Sequence, residues 1–562
     1  MMEPRTRSRR SSLLLGALAV ALASPSWAYF RPSAEFRRHA VAADNSDASR
    51  AGEQVLRAGG NAVDAAVATA LALGVASPAS SGFGGGGLAV ICRPGSPCVF
   101  VDFRETAPAA LTAAMIASAP NAARASHVGG LAVGVPGEPA GLAYLAQRYG
   151  RIGLARDAAP AIALARGGFT VSQYVADRAR DFAAELRLDA HLSRAWLPGG
   201  NPIAAGARVA RPLLATTLAR YAREGDRSVR GGFAQRYAEA ARARGGVITA
   251  DDVAGYRAVE RPVLERAFGS RTIATASYPS AGGLVMLEAL ALIEGASPER
   301  MRHGSSAYDH MLAEAWRQGF DDRARYAGDP ANEGVVGPDA LLAPARMERR
   351  RARIDPSHVS AVTPDEPARD HGTSHLCAVD ADGTIVALTT TVNEPFGARV
   401  AAPTLDVILN DQIDDFSLGA GSSYGLAASR PNALTPGRRP ISSMTPTIVL
   451  EGGRPIACVG AAGGPRITTS TTQVLLNLFA HGMSPEAAVS APRIHHQGAP
   501  EEMLVERDVP EDVRAALRAR GHTVVEVESL AVAQAIVIRG EGAARRVIAA
   551  SDPRKGALPA GQ

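Results

Sequence analysis

Two strand-like runs joined by a tight turn constrain this chain more than any other feature. Residues 374–379 and 384–391 flank Asp380-Ala-Asp-Gly383, and Asp-Gly between two such runs is a strong hairpin signal. With the turn centred near Asp382, facing residues have numbers that sum to about 764. Thr373 then lies opposite Thr391 at the hairpin's open end. Upstream, residues 355–372 are rich in Pro, Asp and Ser and read as an irregular, exposed segment. A threonine at the head of a strand, directly after Gly372, is where a chain can cut itself to expose an N-terminal nucleophile. Threonine in a strand is ordinary, so the reading needs support from elsewhere in the chain.

At 562 residues and 46% hydrophobic, the chain can bury a large core. Residues 1–28 have the build of a secretory signal: arginines at 5, 7, 9 and 10, an apolar run over 13–23, and Ser26-Trp-Ala28 before a cut. The apolar run is too short to span a bilayer. Arg9-Arg10 leaves the twin-arginine route open beside ordinary export, and the mature protein is expected to be periplasmic or secreted. The formal charge of +5 includes a net +3 in this leader, leaving +2 (5 − 3). That balance gives no footprint for nucleic acid. Cys92 and Cys98 flank a turn-rich insert, and their spacing permits a disulfide in an oxidising compartment. Cys377 and Cys458 sit in apolar runs and read as inert core residues. No spacing suggests a metal, and His495-His496 read as structural.

In chain order, helical spacing over 47–75 is broken at Gly59-Gly60-Asn61, and the second helix is almost wholly small and apolar. Ser80-Ser-Gly-Phe-Gly-Gly-Gly-Gly87 lacks the ending of a phosphate loop and follows a helix. Its glycines read as room for close backbone packing beneath a site. A strand over 99–103 leads to Asp102-Phe-Arg-Glu105. Val133–Gly137, Pro279–Gly283 and 308–321 open or form helical scaffold. Residues 346–353 read as a solvated basic helix end. Ile408-Leu-Asn-Asp-Gln-Ile-Asp-Asp-Phe-Ser417 precedes a Gly-, Ser- and Pro-rich loop, 418–439, with the character of a mobile lid. Ile441-Ser-Ser-Met-Thr-Pro446 and the strand-to-helix turn Gly460-Ala-Ala-Gly-Gly464 follow.

Thr373-Ser-His-Leu-Cys-Ala-Val-Asp-x-Asp-Gly, then Thr389-Thr-Thr-Val-Asn393 and Phe396-Gly397, resemble the start of the small subunit of γ-glutamyltransferases (glutathione hydrolases). Gly-Gly-Asn-Ala-x-Asp-Ala-Ala, the Gly-rich turn and Asp-Phe-Arg-Glu resemble the family's N-terminal region. The resemblance implies an α/β chain folded as the four-layer αββα sandwich of N-terminal-nucleophile hydrolases. It also implies cleavage between Gly372 and Thr373, giving a large piece (29–372) and a small catalytic piece (373–562) that form one core as a heterodimer. No cofactor, metal, nucleic-acid partner or membrane anchor is implied.

By the same resemblance Thr373 is the nucleophile, Thr391 orients it, and the Gly463 and Gly464 N–H groups stabilise the oxyanion. Arg104, Ser442 and Ser443 take a donor's α-carboxylate; Asn393, Gln412 and Asp415 take its α-ammonium; Tyr424 is the lid's aromatic residue. The reaction would be γ-glutamyl transfer to water or an amine acceptor. Ser374, where Thr is commoner, and residues 400–407, with Pro403 and Asp406, depart from the family pattern. Two rivals stand beside this reading. One is an acylase of the glutaryl-cephalosporin type, for which Asp415 would have nothing to neutralise. The other is an unprocessed binding protein.

Overall fold

The computed structural model describes residues 32–360, 372–418 and 429–562. The leader, residues 361–371 and Tyr424 lie outside the described residues. The helical stretch over 47–75 resolves into α1 (Ser46–Arg57) and α2 (Ala62–Ala76). Gly59 at φ +92° ends the first, a conformation costly for any side chain. Asn61 and Asp64 cap the second reciprocally. Lacking a polar face, α2 is buried along nearly its whole length.

Four strands carry the first half of the site: β1 (Gly86–Cys92), β2 (Val99–Phe103), and later β3 (Gly372–Val379) and β4 (Ile385–Asn393). Between them in sequence lie α3 (Gly282–Glu294) and α4 (Ser306–Tyr326). Then come β5 (Thr447–Glu451), β6 (Arg454–Ala462) and α5 (Arg466–Phe479). One seven-stranded antiparallel sheet runs Ala560–Gly561, Ala40–Ala43, β3, β4, β1, β2, Val259–Arg261. The other runs Ser33–Phe36, Arg546–Ser551, Val532–Arg539, β6, β5, Arg271–Thr275, Leu264–Phe268.

Period-two alternation along β3 explains the layering. Leu376 and Ala378 join a core with α1 and α2, whereas Cys377 and Val379 join one with Ile448, Val459 and Ile536 of the other sheet. Helices α3 and α5 close the far side of that second core. This is the expected αββα sandwich. Segments from before and after Thr373 share both sheets, so both cores draw on residues from each side of it.

Two expectations are corrected. Cys377 and Cys458 are not inert thiols; they form a disulfide between the two sheets, with Cα atoms 5.9 Å apart. Both side chains point into the inter-sheet space, a pairing across 81 residues that no local pattern reveals. Cys92 and Cys98 are also bonded, across the turn. The basic stretch 346–353 is solvated only in part: Arg349 and Arg353 are exposed, but its other arginines turn inward. Arg346 and Arg350 of the helix Pro344–Arg351 both reach Asp322 of α4, at 2.6 Å from Arg346, and Arg350 is buried there. A fully enclosed carboxylate requires such partners.

Loop-closure entropy gives about 4.5 kcal/mol for the inter-sheet bridge and about 2.4 kcal/mol for the turn bridge. Replacing Cys377 and Cys458 together by alanine is therefore expected to lower the denaturant midpoint further than replacing Cys92 and Cys98. Equal shifts would contradict the loop-length account.

Candidate active site

The hairpin register is the one the turn dictates: Thr373 pairs with Thr391. A register shift between Gly372 and Thr373 sets Gly372 opposite Asn393. The two threonine Oγ1 atoms lie 3.1 Å apart. The Thr391 hydroxyl donates to the Gly372 carbonyl at 2.8 Å and accepts from the Asn393 N–H at 2.9 Å. Its single proton is thereby used, so Thr373 is the donor between the two hydroxyls. A Cβ at residue 372 would lie 2.4 Å from the Ala79 carbonyl, so only glycine fits before Thr373.

The Gly-rich loop supports this geometry from below, as expected. A Cβ on Gly85 would fall 2.0 Å from the Thr391 carbonyl, and one on Gly84 2.0 Å from that of Ile408. Backbone therefore packs directly on backbone under the hairpin end. Asn393 adopts φ +79° and turns its amide to donate to the Asp411 carbonyl at 3.0 Å.

Arg104, Asn393, Gln412, Asp415, Ser442, Ser443 and Gly464 line one pocket with Thr373 and Thr391. Gly463 faces an adjoining pocket that also reaches Thr373. Among the described residues neither the Gly463 nor the Gly464 N–H has a protein acceptor. Arg104 leaves the end of β2 and is buried; it donates to the carbonyls of Pro440 (3.3 Å) and Ile441 (3.0 Å) and contacts Asp415 directly. Gln412 donates to the same Asp415 oxygen at 2.8 Å. The two residues expected at opposite ends of a ligand thus touch each other, and the second Asp415 oxygen has no protein partner among the described residues. Burial raises the Asp415 pKa against the pull of Arg104. Glu105, enclosed 3.8 Å from Arg104, is pushed up to about 7 by burial, again opposed by Arg104.

Two stretches read as bare scaffold hold this pocket. The first residue of α3, Gly282, lies where a Cβ would meet the Ser443 carbonyl at 2.4 Å, and Ser280 donates to the Met444 carbonyl at 2.6 Å. Pro279–Gly283 therefore sets the Ser442–Ser443 turn. Gly137 packs on Phe103, and Tyr256 donates to the Arg104 carbonyl at 2.6 Å. Residues 418 and 429–439 of the expected mobile loop are pinned rather than free. Asn432 donates to the Asp415 carbonyl (2.7 Å) and accepts from the Ile441 N–H (2.9 Å).

No local pattern points to Arg323, which lines the pocket from an amphipathic helix, or to the network behind Asp415. There His127 lies 3.3 Å from Glu394 and 3.2 Å from Asp414, while Arg399 sits 2.6 Å from Glu394. Asp414 thus faces away from the pocket and Asp415 into it. Burial lowers the His127 pKa, but the Glu394 hydrogen bond and the charges of Asp414 and Glu394 outweigh it and raise the value. Of the described clusters with metal-ligand composition, Cys377 and Cys458 are bridged to each other and the His127 group is occupied by Arg399. In the third, His310–Glu314–His522, Glu314 holds Arg317 at 2.5 Å.

Comparison with known proteins places these residues in context. The family profile described as Gamma-glutamyltranspeptidase matches residues 48–561. A glutathione hydrolase proenzyme of Escherichia coli is 34% identical over 525 residues, covering 92% of this chain and 90% of that one. A cephalosporin acylase from Bacillus halodurans superposes with a TM-score of 0.83 at 26% identity, covering 100% and 99% of the two chains. A Helicobacter pylori gamma-glutamyltranspeptidase superposes with a TM-score of 0.54 at 32% identity, covering 56% of this chain and 91% of that one.

The His127 ring has a folded pKa above its unfolded value, so its stabilisation is complete below about pH 6.5 and is lost as pH rises through the folded value. The wild-type urea midpoint is expected to fall relative to that of His127→Gln as pH rises above about 6.5. Parallel profiles would show that the ring carries no charge between Glu394 and Asp414.

Proposed function

The chain belongs to the gamma-glutamyltranspeptidase family, and on that footing we propose that it transfers γ-glutamyl groups from glutathione-like amides to water or amines through an ester on Thr373. The observation that carries this reading is the Thr391 hydroxyl, which binds the Gly372 carbonyl while sitting against the Thr373 hydroxyl.

In the precursor the Thr373 oxygen attacks the Gly372 carbonyl carbon, whose oxygen Thr391 already polarises. The C–N bond breaks, the acyl group passes to the Thr373 oxygen, and water hydrolyses that ester. The products are residues 29–372, ending in a carboxylate, and residues 373–562, beginning with a free amine. Interleaving of both pieces in each sheet supports a heterodimer that stays together after scission. An α-amine titrates near 7.7–8.0 in the unperturbed case, roughly at working pH, so it can accept the proton of its own hydroxyl.

Thr373 then attacks the donor's γ-carbonyl. The Gly463 and Gly464 N–H groups receive the oxyanion, Arg104 with Ser442 and Ser443 holds the α-carboxylate, and Asn393, Gln412 and Asp415 hold the α-ammonium. Departure of the amine leaves an acyl-enzyme that water or an acceptor amine resolves. The two disulfides suit an oxidising compartment and so favour export. No described helix is long and apolar enough to cross a membrane.

The superposition on a cephalosporin acylase over the full chain favours a second reading, an acylase for glutaryl amides. A glutaryl group has no amine to place against Asp415. Hydrolysis of γ-glutamyl anilide above glutaryl anilide decides for the first reading, and the reverse order for the second.

Thr391→Val keeps shape and removes the hydroxyl. Self-cleavage and turnover are both expected to slow by roughly 10²-fold or more, the scale of losing a positioned proton-handling group. Turnover at the wild-type rate would remove Thr391 from the mechanism.

A further inference from the structure

Arg323 is 6% exposed on α4 and lines the pocket with Arg104, Asp415, Ser443 and Thr373. Among the described residues its guanidinium makes no hydrogen bond and no ion pair, and its Nε is fully enclosed without a partner. Every other buried arginine among the described residues sits on a carboxylate, as Arg399 does on Glu394 and Arg439 on Asp102, both at 2.6 Å. A buried guanidinium cannot shed its proton at neutral pH, and leaving it unpaired is costly. Burial moves Arg323 down only to about 10, with the charge of Asp415 opposing. Arg104 cannot discharge the same role alone, because Asp415 and the carbonyls of residues 440 and 441 already occupy its Nε and Nη2. Two guanidinium groups and one aspartate therefore line the pocket, with Glu105 enclosed behind it 3.8 Å from Arg104.

We propose that Arg323 is a second carboxylate-binding residue of this pocket. Its planar fork receives the carboxylate at the far end of the donor's acyl chain beside Arg104, and makes that carboxylate, rather than the amine, the obligatory recognition group. This rests on the reading of the pocket as the donor site and adds to it the substrate class: amides whose acyl chain ends in a carboxylate, with the α-amine a secondary feature.

The test compares anilides of three acyl groups on the processed protein: γ-glutamyl, glutaryl (carboxylate without amine) and 4-aminobutyryl (amine without carboxylate). Wild type is expected to prefer both carboxylate donors over 4-aminobutyryl. Arg323→Met is expected to raise KM for both carboxylate donors by roughly tenfold or more, the scale of a charge-assisted bond, with kcat and the 4-aminobutyryl reaction little changed. A uniform loss on all three, or no loss, overturns the proposal. If Arg323→Met does not accumulate folded, Arg323→Lys keeps the charge without the fork; a smaller loss confined to carboxylate donors supports the proposal and a uniform one overturns it. Failure of γ-glutamyl donors in the wild type would sink the functional reading, while the glutaryl against 4-aminobutyryl comparison still decides the role of Arg323.

Discussion

The hydroxyl of Thr391 ties together three groups: the Gly372 carbonyl, the Thr373 side chain and the Asn393 backbone. Each contact depends on strand register, because a slip of one residue would turn Thr391 to the opposite face of its sheet. The Asp-Gly turn fixes that register from one end, and the glycines at 84 and 85, which admit no side chain, fix it from below. The disulfide from Cys377 to Cys458 then ties β3 to β6, the strand that leads to Gly463 and Gly464. Thr373 and the Gly463–Gly464 turn thus lie at the ends of strands from two sheets that are covalently joined four to six residues away from them.

The pocket concentrates charge where water is largely excluded. Arg104 and Asp415 meet there, each raising the need for precise partners around the other. Carbonyls of residues 440 and 441 and the side-chain amide of Gln412 meet that need, while the Asn432 side-chain amide holds the Asp415 backbone carbonyl. Behind them, His127, Glu394, Asp414 and Arg399 form a second charged layer that separates the roles of the two adjacent aspartates. Arg323 stands apart as the one buried arginine among the described residues without a carboxylate. Its placement gives the pocket a positive excess that an anionic acyl chain would cancel.

Much of this was legible in the sequence where local chemistry sets geometry. The hairpin register, the capped break between α1 and α2, the strand before Arg104 and the close packing of the Gly-rich loop all follow from turn, cap and glycine rules. The residues expected to line the donor site do share a pocket, apart from Tyr424, which lies outside the described residues, and Gly463, which faces the adjoining one. What could not be read are contacts between elements far apart in sequence. Cys377 and Cys458 pair across sheets, Arg346 and Arg350 find Asp322 on another helix, and Asn432 pins a loop whose composition suggests freedom. Arg323 escaped notice for the same reason: on a helix with mixed polarity an arginine is normally solvated, and only tertiary packing turns it inward.

The central claim is covalent, and intact mass together with stepwise end-group sequencing of the purified active protein tests it most directly. The account predicts two polypeptides of about 345 and about 190 residues, the smaller beginning Thr-Ser-His-Leu. A single uncut chain with full activity, or a small piece beginning at any other residue, would contradict it.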